Sequence, residues 1–153
     1  MTNQQHQWKP NVTVAAVAEQ DGKFLLVEEQ TADGIRYNQP AGHLEAEESL
    51  LDAVVRETLE ESAWHFKPTA LIGVYQYRRH ESGITYLRFA FTGDVSDHQP
   101  DRALDTGILR ALWMPVAGIR ASRAQHRSPL LMQCIDDYLA GQRYPLHLLY
   151  NHN

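Results

Sequence analysis

A short acidic stretch in the middle of the chain most constrains what this sequence can fold into. Between positions 45 and 61 there are seven acidic residues and a single basic residue, Arg56. We predict a helix over residues 49–62, because Ser49 can cap its first turn and Asp52 follows three residues later as a capping-box partner. The stretch therefore predicts a helix that concentrates negative charge in one part of the fold.

The helix is predicted to have two unlike sides. At 100° per residue Glu57, Glu60 and Glu61 share one side, since residues three and four apart are neighbours on a helix. The opposite side, which we expect to pack on a sheet, carries Leu51, Val54, Val55, Thr58 and Leu59. Like charges at this spacing destabilise a helix by about 0.2–0.5 kcal/mol per pair. The presence of three such acids on one side of the helix therefore calls for a functional explanation.

The rest of the chain contains several runs whose composition is typical of β-strands. Val-rich and aromatic runs separated by turn residues predict strands over 11–19, 23–29, 69–78, 84–92 and 107–114. Residues 35–42 are interrupted by Pro40 and predict a brief strand that runs into a loop. A short helix is expected after Pro115, and Ser128-Pro129 begins a last helix that ends at Gly141. The order β-β-β-α-β-β-β-α-α predicts one α+β domain over residues 1–153, with residues 1–9 as a loose N-terminal arm.

Charge and cysteine content exclude several classes of function. The net charge of −5 argues against nucleic-acid and membrane partners, and no apolar run is long enough to cross a bilayer. The single cysteine, Cys134, excludes a disulfide framework and a cysteine zinc site. We expect a cytoplasmic protein with a small-molecule partner, and both a monomer and a homodimer remain open.

The residues before the helix give the cluster a chemical interpretation. By itself, E-x-x-E-E is more often a solvated face than a metal site. Gly42, however, lies six residues before Glu48, and a glycine loop ahead of a helix lets backbone groups approach a ligand closely. Carboxylate oxygens are the ligands that Mg²⁺ prefers. The spacing therefore favours a divalent-cation site.

This spacing is similar to a known family motif. The pattern Gly42-x5-Glu48-x7-Arg56-Glu57-x-x-Glu60-Glu61 resembles the Nudix box, G-x5-E-x7-R-E-U-x-E-E-x-G-U, at six of its seven fixed positions. The chain departs from the motif at Ala63, where the family has glycine, and at Thr58, where the family has a bulky apolar residue. Neither departure removes a carboxylate.

The resemblance implies a fold and a metal chemistry. It implies the Nudix α/β/α sandwich, with a mixed sheet on which the box helix packs. It also implies that Glu57, Glu60 and Glu61 hold Mg²⁺, with Mn²⁺ as an alternative and the Ala41 carbonyl as a further ligand. Glu48 and Arg56 would hold the loop and the helix together. One of the helix glutamates could instead be the base that deprotonates water, and the sequence does not assign which one.

The late segments RSPL (127–130) and GQRYPL (141–146) resemble one bacterial phosphatase subgroup of the family. This implies release of the terminal phosphate from nucleoside di- and triphosphates and from hydroxymethylpyrimidine diphosphate. Two alternatives stay open: a pyrophosphatase of ADP-ribose or dinucleoside polyphosphates, and a nucleotide-binding regulator that does not hydrolyse its ligand.

Candidate substrate residues lie outside the helix. Tyr37 could stack on a ring, Arg88 could bind a phosphate, and Gln39 is a third candidate, although ordinary strand packing is slightly favoured for all three. His43, directly after Gly42, is a candidate for phosphate contact or for stabilising the loop. Asp105 could supply a carboxylate from a loop.

Overall fold

The computed structural model describes residues 6–153, and its elements follow the predicted order with two additional short strands, Glu19–Gln20 and Ala41–His43. Of the predicted N-terminal arm, residues 1–5 lie outside this range and residues 6–9 form neither helix nor strand. The elements are β1 (Asn11–Val17), β2 (Glu19–Gln20), β3 (Lys23–Thr31), β4 (Gly34–Asn38), β5 (Ala41–His43), α1 (Leu50–Ser62), β6 (His65–Arg78), β7 (Thr85–Ser96), β8 (Ile108–Pro115), α2 (Val116–Ala121) and α3 (Leu130–Leu139), with 3₁₀ turns at Arg123–Gln125 and Leu146–Leu148.

The strands form two sheets. The first has the order β5-β1-β7-β6, in which β1 and β7 are parallel and the other neighbours are antiparallel. In the second, β3 pairs antiparallel with β2, β4 and β8. The predicted mixed sheet is confirmed.

Helices cover both sides of the strands. Val14 and Ala16 of β1 pack with Val54 of α1, whereas Val17 packs with Leu131 and the rest of the buried side of α3. Successive strand residues point to opposite faces, so β1 supplies both cores. The expected α/β/α sandwich with α1 packed on the sheet is confirmed.

Two prolines shape the strands of the fold. The brief strand expected before Pro40 is β4, but the loop expected after it is replaced by β5, which pairs with β1. Pro40 has no N–H for a ladder, although its carbonyl accepts from Ala16 N at 2.9 Å. β6 begins at His65 rather than at position 69, and its register with β7 shifts between Pro68 and Ala70. Bulges of this kind re-aim the side chains that follow them.

Both predicted ends of α1 are present. The Ser49 hydroxyl accepts from the backbone N–H of Asp52 at 3.0 Å, as an N-cap does. Ala63 ends the helix in the left-handed region at φ 62°. Among the described residues no helix is long and apolar enough to cross a membrane.

The buried stripe of α1 is rotated relative to the prediction. It consists of Ala53, Val54, Glu57, Thr58 and Ser62, whereas Val55 and Leu59 are half-buried. Small side chains at 53 and 62 allow this approach to the sheet, and the buried Thr58 hydroxyl donates to the Val54 carbonyl at 2.7 Å. The rotation brings Glu57 to the edge of the packed face.

Candidate active site

Gly42 lets the helix approach strand β5 closely. A Cβ atom at this position would overlap the Glu57 carboxylate, which lies directly on the glycine backbone. One residue earlier, the Ala41 N–H donates to Glu61 Oε1 at 2.8 Å. Ala41 pairs with Ala15 at a non-hydrogen-bonded position of the ladder, so its carbonyl also points away from β1. The β5 edge and α1 therefore present backbone oxygen and carboxylates to the same space.

Arg56 fastens the loop to the helix. Its Nε and Nη2 donate to the two carboxylate oxygens of Glu48 at 2.7 and 3.0 Å, and Nη2 also donates to the His43 carbonyl at 3.1 Å. Nη1 donates to Glu57 at 2.9 Å and to Glu60 at 3.1 Å. The hydrogen bonds from Arg56 lower the pKa of Glu48. Arg56 and Glu48 thus lie where they can position the helix glutamates.

A loop residue completes a cluster of acids. Oxygens of Glu57, Glu60 and Asp105 all lie within 4.8 Å of one another. Asp105 comes from the segment between β7 and β8, and its N–H donates to the Glu60 carbonyl at 3.0 Å, while Gln99 N–H donates to the Ala63 carbonyl at 2.9 Å. These bonds dock the loop on the last turn of α1 and bring Asp105 to the helix glutamates.

Two buried acids, Glu57 of this cluster and Glu61 beside it, have raised pKa values. Burial raises the pKa of Glu57, which is 8% exposed, despite its bond to Arg56. Burial, opposed by the Ala41 N–H, raises the pKa of Glu61 to about 8, and the charges of neighbouring acids add to the rise. Hard oxygen donors with excess negative charge are what Mg²⁺ or Mn²⁺ requires, so the residues present fit such an ion.

A cavity of about 370 Å³ opens beside the acids. Glu57 and Glu61 line one part of it, together with Ala41, Gly42 and His43. Its other lining residues come from strands β1, β3, β4, β6 and β7, from the loops that follow β5 and β6, and from the start of α3 with the residues before it: Thr13, Glu29, Asn38, Glu45, Tyr77, Arg79, Tyr86, Arg88, Arg127, Ser128 and Leu130.

Arg88 lies in the cavity wall and is 6% exposed. Its Nη1 donates to Gln39 Oε1 at 2.9 Å, and its Nη2 donates to Asn38 Oδ1 at 3.1 Å. Gln39, which is 1% exposed, in turn donates from Nε2 to the Leu131 carbonyl at 2.8 Å. The oxygen and the nitrogen of the Gln39 side-chain amide are therefore both bonded to protein groups, and Gln39 does not line the cavity itself.

Two of the other three predicted substrate residues reach the cavity. His43 and Arg88 line it, whereas Tyr37 does not. Tyr37 packs against the core on the α3 side, because it alternates with Asn38 along β4 and only Asn38 faces the cavity. The placement of Tyr37 does not support the stacking role that the sequence suggested.

Other cavity residues were missed by sequence reasoning. Tyr77 and Tyr86 face each other across β6 and β7, and their register depends on the bulges of β6, which the sequence does not reveal. Arg127 is the first residue of the RSPL segment, so the late resemblance was a signal for it. Arg79 carried no signal beyond its place at the end of a predicted strand.

Comparison with known proteins identifies the family of the chain. The sequence profile of the NUDIX domain matches residues 8–134. Phosphatase NudJ from Escherichia coli strain K12 is 38% identical over 146 residues, which cover 95% of this chain and 94% of the relative.

Solved structures agree as well. A NUDIX hydrolase from Nitrosomonas europaea superposes with a TM-score of 0.92 at 56% identity, covering 94% of this chain and 98% of the other. The MutT NUDIX hydrolase from Burkholderia pseudomallei, at 18% identity, shares the fold with a TM-score of 0.72 and covers 85% of this chain and 98% of its own. The chain belongs to the Nudix family and is a hydrolase that acts on phosphoanhydride bonds.

Proposed function

We propose that this protein is a Mg²⁺-dependent phosphatase that releases the terminal phosphate from nucleoside di- and triphosphates and from hydroxymethylpyrimidine diphosphate. The observation that carries the proposal is the cluster of Glu57, Glu60 and Asp105 beside a cavity that also contains Arg88. One part of this cavity suits a cation and the other suits an anion. The name of the relative, Phosphatase NudJ, supports the release of phosphate.

The metal would be held by residues of the box helix and its surroundings. Glu57, Glu60 and Glu61 are the proposed ligands, with the Ala41 carbonyl and Asp105 as further oxygen donors. A bound Mg²⁺ supplies charge that neutralises phosphate oxygens and acidifies water. Mn²⁺ has similar ligand preferences and fits the same donors.

The chain's own residues position the reaction. Arg56 holds Glu57 and Glu60 in place through charge-assisted hydrogen bonds and is itself held by the bidentate pair with Glu48. A helix glutamate that does not bind the metal could accept the proton of the attacking water. His43, in the wall beside Gly42, is a candidate for contact with the substrate phosphates.

The size of the cavity favours a substrate with one organic group. Ligand sites commonly measure about 300–1,000 Å³, and this cavity lies near the lower limit. A ring with its diphosphate suits such a volume better than two nucleosides do. Loss of a terminal phosphate from a compact diphosphate is the proposed outcome.

The test is hydrolysis in ¹⁸O-water with and without Mg²⁺. We expect GDP and hydroxymethylpyrimidine diphosphate to give the monophosphate and labelled orthophosphate, and a triphosphate to lose its phosphates one at a time. Pyrophosphate as the sole inorganic product, or much faster cleavage of ADP-ribose to AMP, would instead identify a pyrophosphatase. Nucleotide binding without turnover would identify a regulator.

A matched pair of loop variants tests the metal assignment. We expect Asp105→Asn to raise the Mg²⁺ concentration needed for half-maximal rate by about tenfold, the lower end of the effect of groups that support a metal site. Asp101→Asn changes an exposed acid of the same loop and should leave the Mg²⁺ dependence unaltered. Equal Mg²⁺ curves for the two variants would remove Asp105 from the site.

A further inference from the structure

We propose that Arg88, with Asn38 and Gln39 as positioning residues, forms a metal-independent subsite for the phosphate that remains on the organic product. The proposal rests on the proposed function for the identity of that product. It assigns the two parts of the cavity to different phosphates: the acids to the phosphate that leaves, and Arg88 to the phosphate that stays.

The first argument is the charge of Arg88. Three arginines line the cavity, and two of them are paired with acids: Arg79 with Asp33 at 2.7 Å and Arg127 with Glu29 at 3.4 Å. Within residues 6–153, no carboxylate oxygen lies within 4.0 Å of the Arg88 guanidinium. Glu29 of the same cavity is near enough for the charge of Arg88 to act against the burial that raises its pKa, but its ion pair is with Arg127. A buried arginine with no direct ion pair is costly, so this position favours an anionic ligand.

The second argument is the way in which Arg88 is held. Both of its oxygen acceptors are side-chain amides, from Asn38 and Gln39, which carry no charge. The buried Cys134 thiol also interacts with the guanidinium, and because burial raises its pKa it stays uncharged as well. Gln39 is fixed in turn by the Leu131 carbonyl of α3. These bonds orient the guanidinium without neutralising it, and its remaining N–H groups are free of protein oxygens in the described part of the chain. A planar guanidinium held in this way is suited to binding phosphate through two parallel hydrogen bonds.

The third argument is an aromatic surface beside the arginine. Tyr86 lies two residues before Arg88 on β7, so both side chains are on the same face of the strand. Tyr77 pairs directly with Tyr86 across the sheet, and both rings line the cavity. A ring attached to the bound phosphate can therefore stack on tyrosine. The ligand class that fits is a phosphate monoester of an aromatic or nucleoside group.

The substitution Asn38→Asp tests the subsite by replacing one side-chain nitrogen with oxygen. Its Oδ1 accepts from Arg88 and from the Gln39 N–H at 3.0 Å, so the amide orientation is set by two donors. Its Nδ2 has no protein partner among residues 6–153. Asn38→Asp therefore keeps the shape and both hydrogen bonds but gives Arg88 a carboxylate at the same place.

The experiment is calorimetric titration in EDTA, where metal-dependent turnover is absent. We expect the wild-type protein to bind GMP at least about tenfold more tightly than guanosine, as a charged hydrogen-bonded contact implies. Asn38→Asp should weaken GMP binding by at least about tenfold while its melting temperature stays the same or rises, because the buried arginine gains a counter-ion. Arg88→Gln should weaken GMP binding to a similar extent.

Arg120→Met is the matched control, since Arg120 makes one exposed ion pair with Asp136 and does not line the cavity. It should bind GMP as the wild type does. The proposal is overturned if guanosine binds as tightly as GMP, or if Asn38→Asp and Arg88→Gln retain wild-type affinity for GMP. Neither result depends on hydrolysis, so this subsite and the proposed phosphatase activity can fail separately.

Discussion

The two parts of the cavity carry opposite charges and are built from differently arranged segments of the chain. The acidic part comes from one continuous segment, Ala41 to Glu61, with Asp105 added from a loop. The arginine part is assembled from separate strands and from the segment before α3. The first carries several acids against Arg56, and the second carries a buried cation held by neutral amides.

The difference shows that charge is left incompletely balanced in two separate places. At the acidic part, burial raises the pKa of Glu57 and Glu61, so the fold keeps carboxylates where they are electrostatically unfavourable. At the other part, neutral amides rather than a carboxylate accept the hydrogen bonds of the buried Arg88. A ligand with a metal at one end and a phosphate at the other would offset both charges.

The largest expected effect comes from removing a charge at the acidic part. Glu60→Gln keeps the size of the side chain, and we expect kcat with saturating Mg²⁺ to fall by at least about 10²-fold, the scale of losing a major electrostatic stabiliser. The melting temperature should stay the same or rise, because one like charge is removed. If activity remains within about a factor of two, Glu60 is only a surface residue.

A smaller effect is expected in the pH dependence of stability, which should differ between Glu61 and Glu48. Glu61 has a folded-state pKa raised from 4.5 to about 8, so its protonated form is favoured by folding. In EDTA its contribution to stability should therefore decline as pH rises from about 4.5 through about 8. Glu61→Gln remains neutral, and its melting temperature should exceed that of the wild type by an amount that grows over this range and then levels off.

The opposite sign is expected at Glu48. Its pKa is lowered by the bond to Arg56, so the stability it contributes is present above 4.5 and is lost as pH falls through the folded-state pKa. Glu48→Gln should thus be destabilised at neutral pH, and the deficit should shrink in acid. Melting curves of wild type, Glu48→Gln and Glu61→Gln that stay parallel across pH would contradict this distinction between the two glutamates.

The smallest expected effect lies at the end of the helix. Ala63 has a φ of 62°, and a non-glycine residue in this region costs roughly 1 kcal/mol relative to glycine. Ala63→Gly should raise the free energy of unfolding in urea by about that amount, with kcat unchanged. A decrease in stability would mean that Ala63 makes contacts worth more than the strain it carries.

The acidic part could be predicted because most of the residues that form it lie close together in the sequence. The cap at Ser49, the helix side with the glutamates and the loop glycine depend on spacing within about twenty residues, and all are present. Asp105 was a weaker inference, since its position requires the docking of a loop. The rotation of the buried stripe escaped prediction because the helix wheel does not show which side chains are small enough to approach the sheet.

The arginine part could be predicted only in fragments. Arg88 and His43 were candidates, but Tyr77 and Tyr86 depend on register shifts in β6 and on the parallel pairing of β1 with β7. For Tyr37 the sequence leaves both stacking and strand packing open, because alternation along a five-residue strand gives two faces and does not tell which one meets the cavity. Long-range pairing supplies that information.

The attachment of the loop between β7 and β8 to the end of α1 limits which sequence changes this loop can accept. Its two bonds to α1 use only main-chain atoms, from Gln99 to Ala63 and from Asp105 to Glu60. Side chains between these points can therefore be exchanged without loosening the attachment, whereas adding or deleting one residue would carry Asp105 away from the glutamates. We expect the segment between the two anchors to tolerate changes of composition and to resist changes of length.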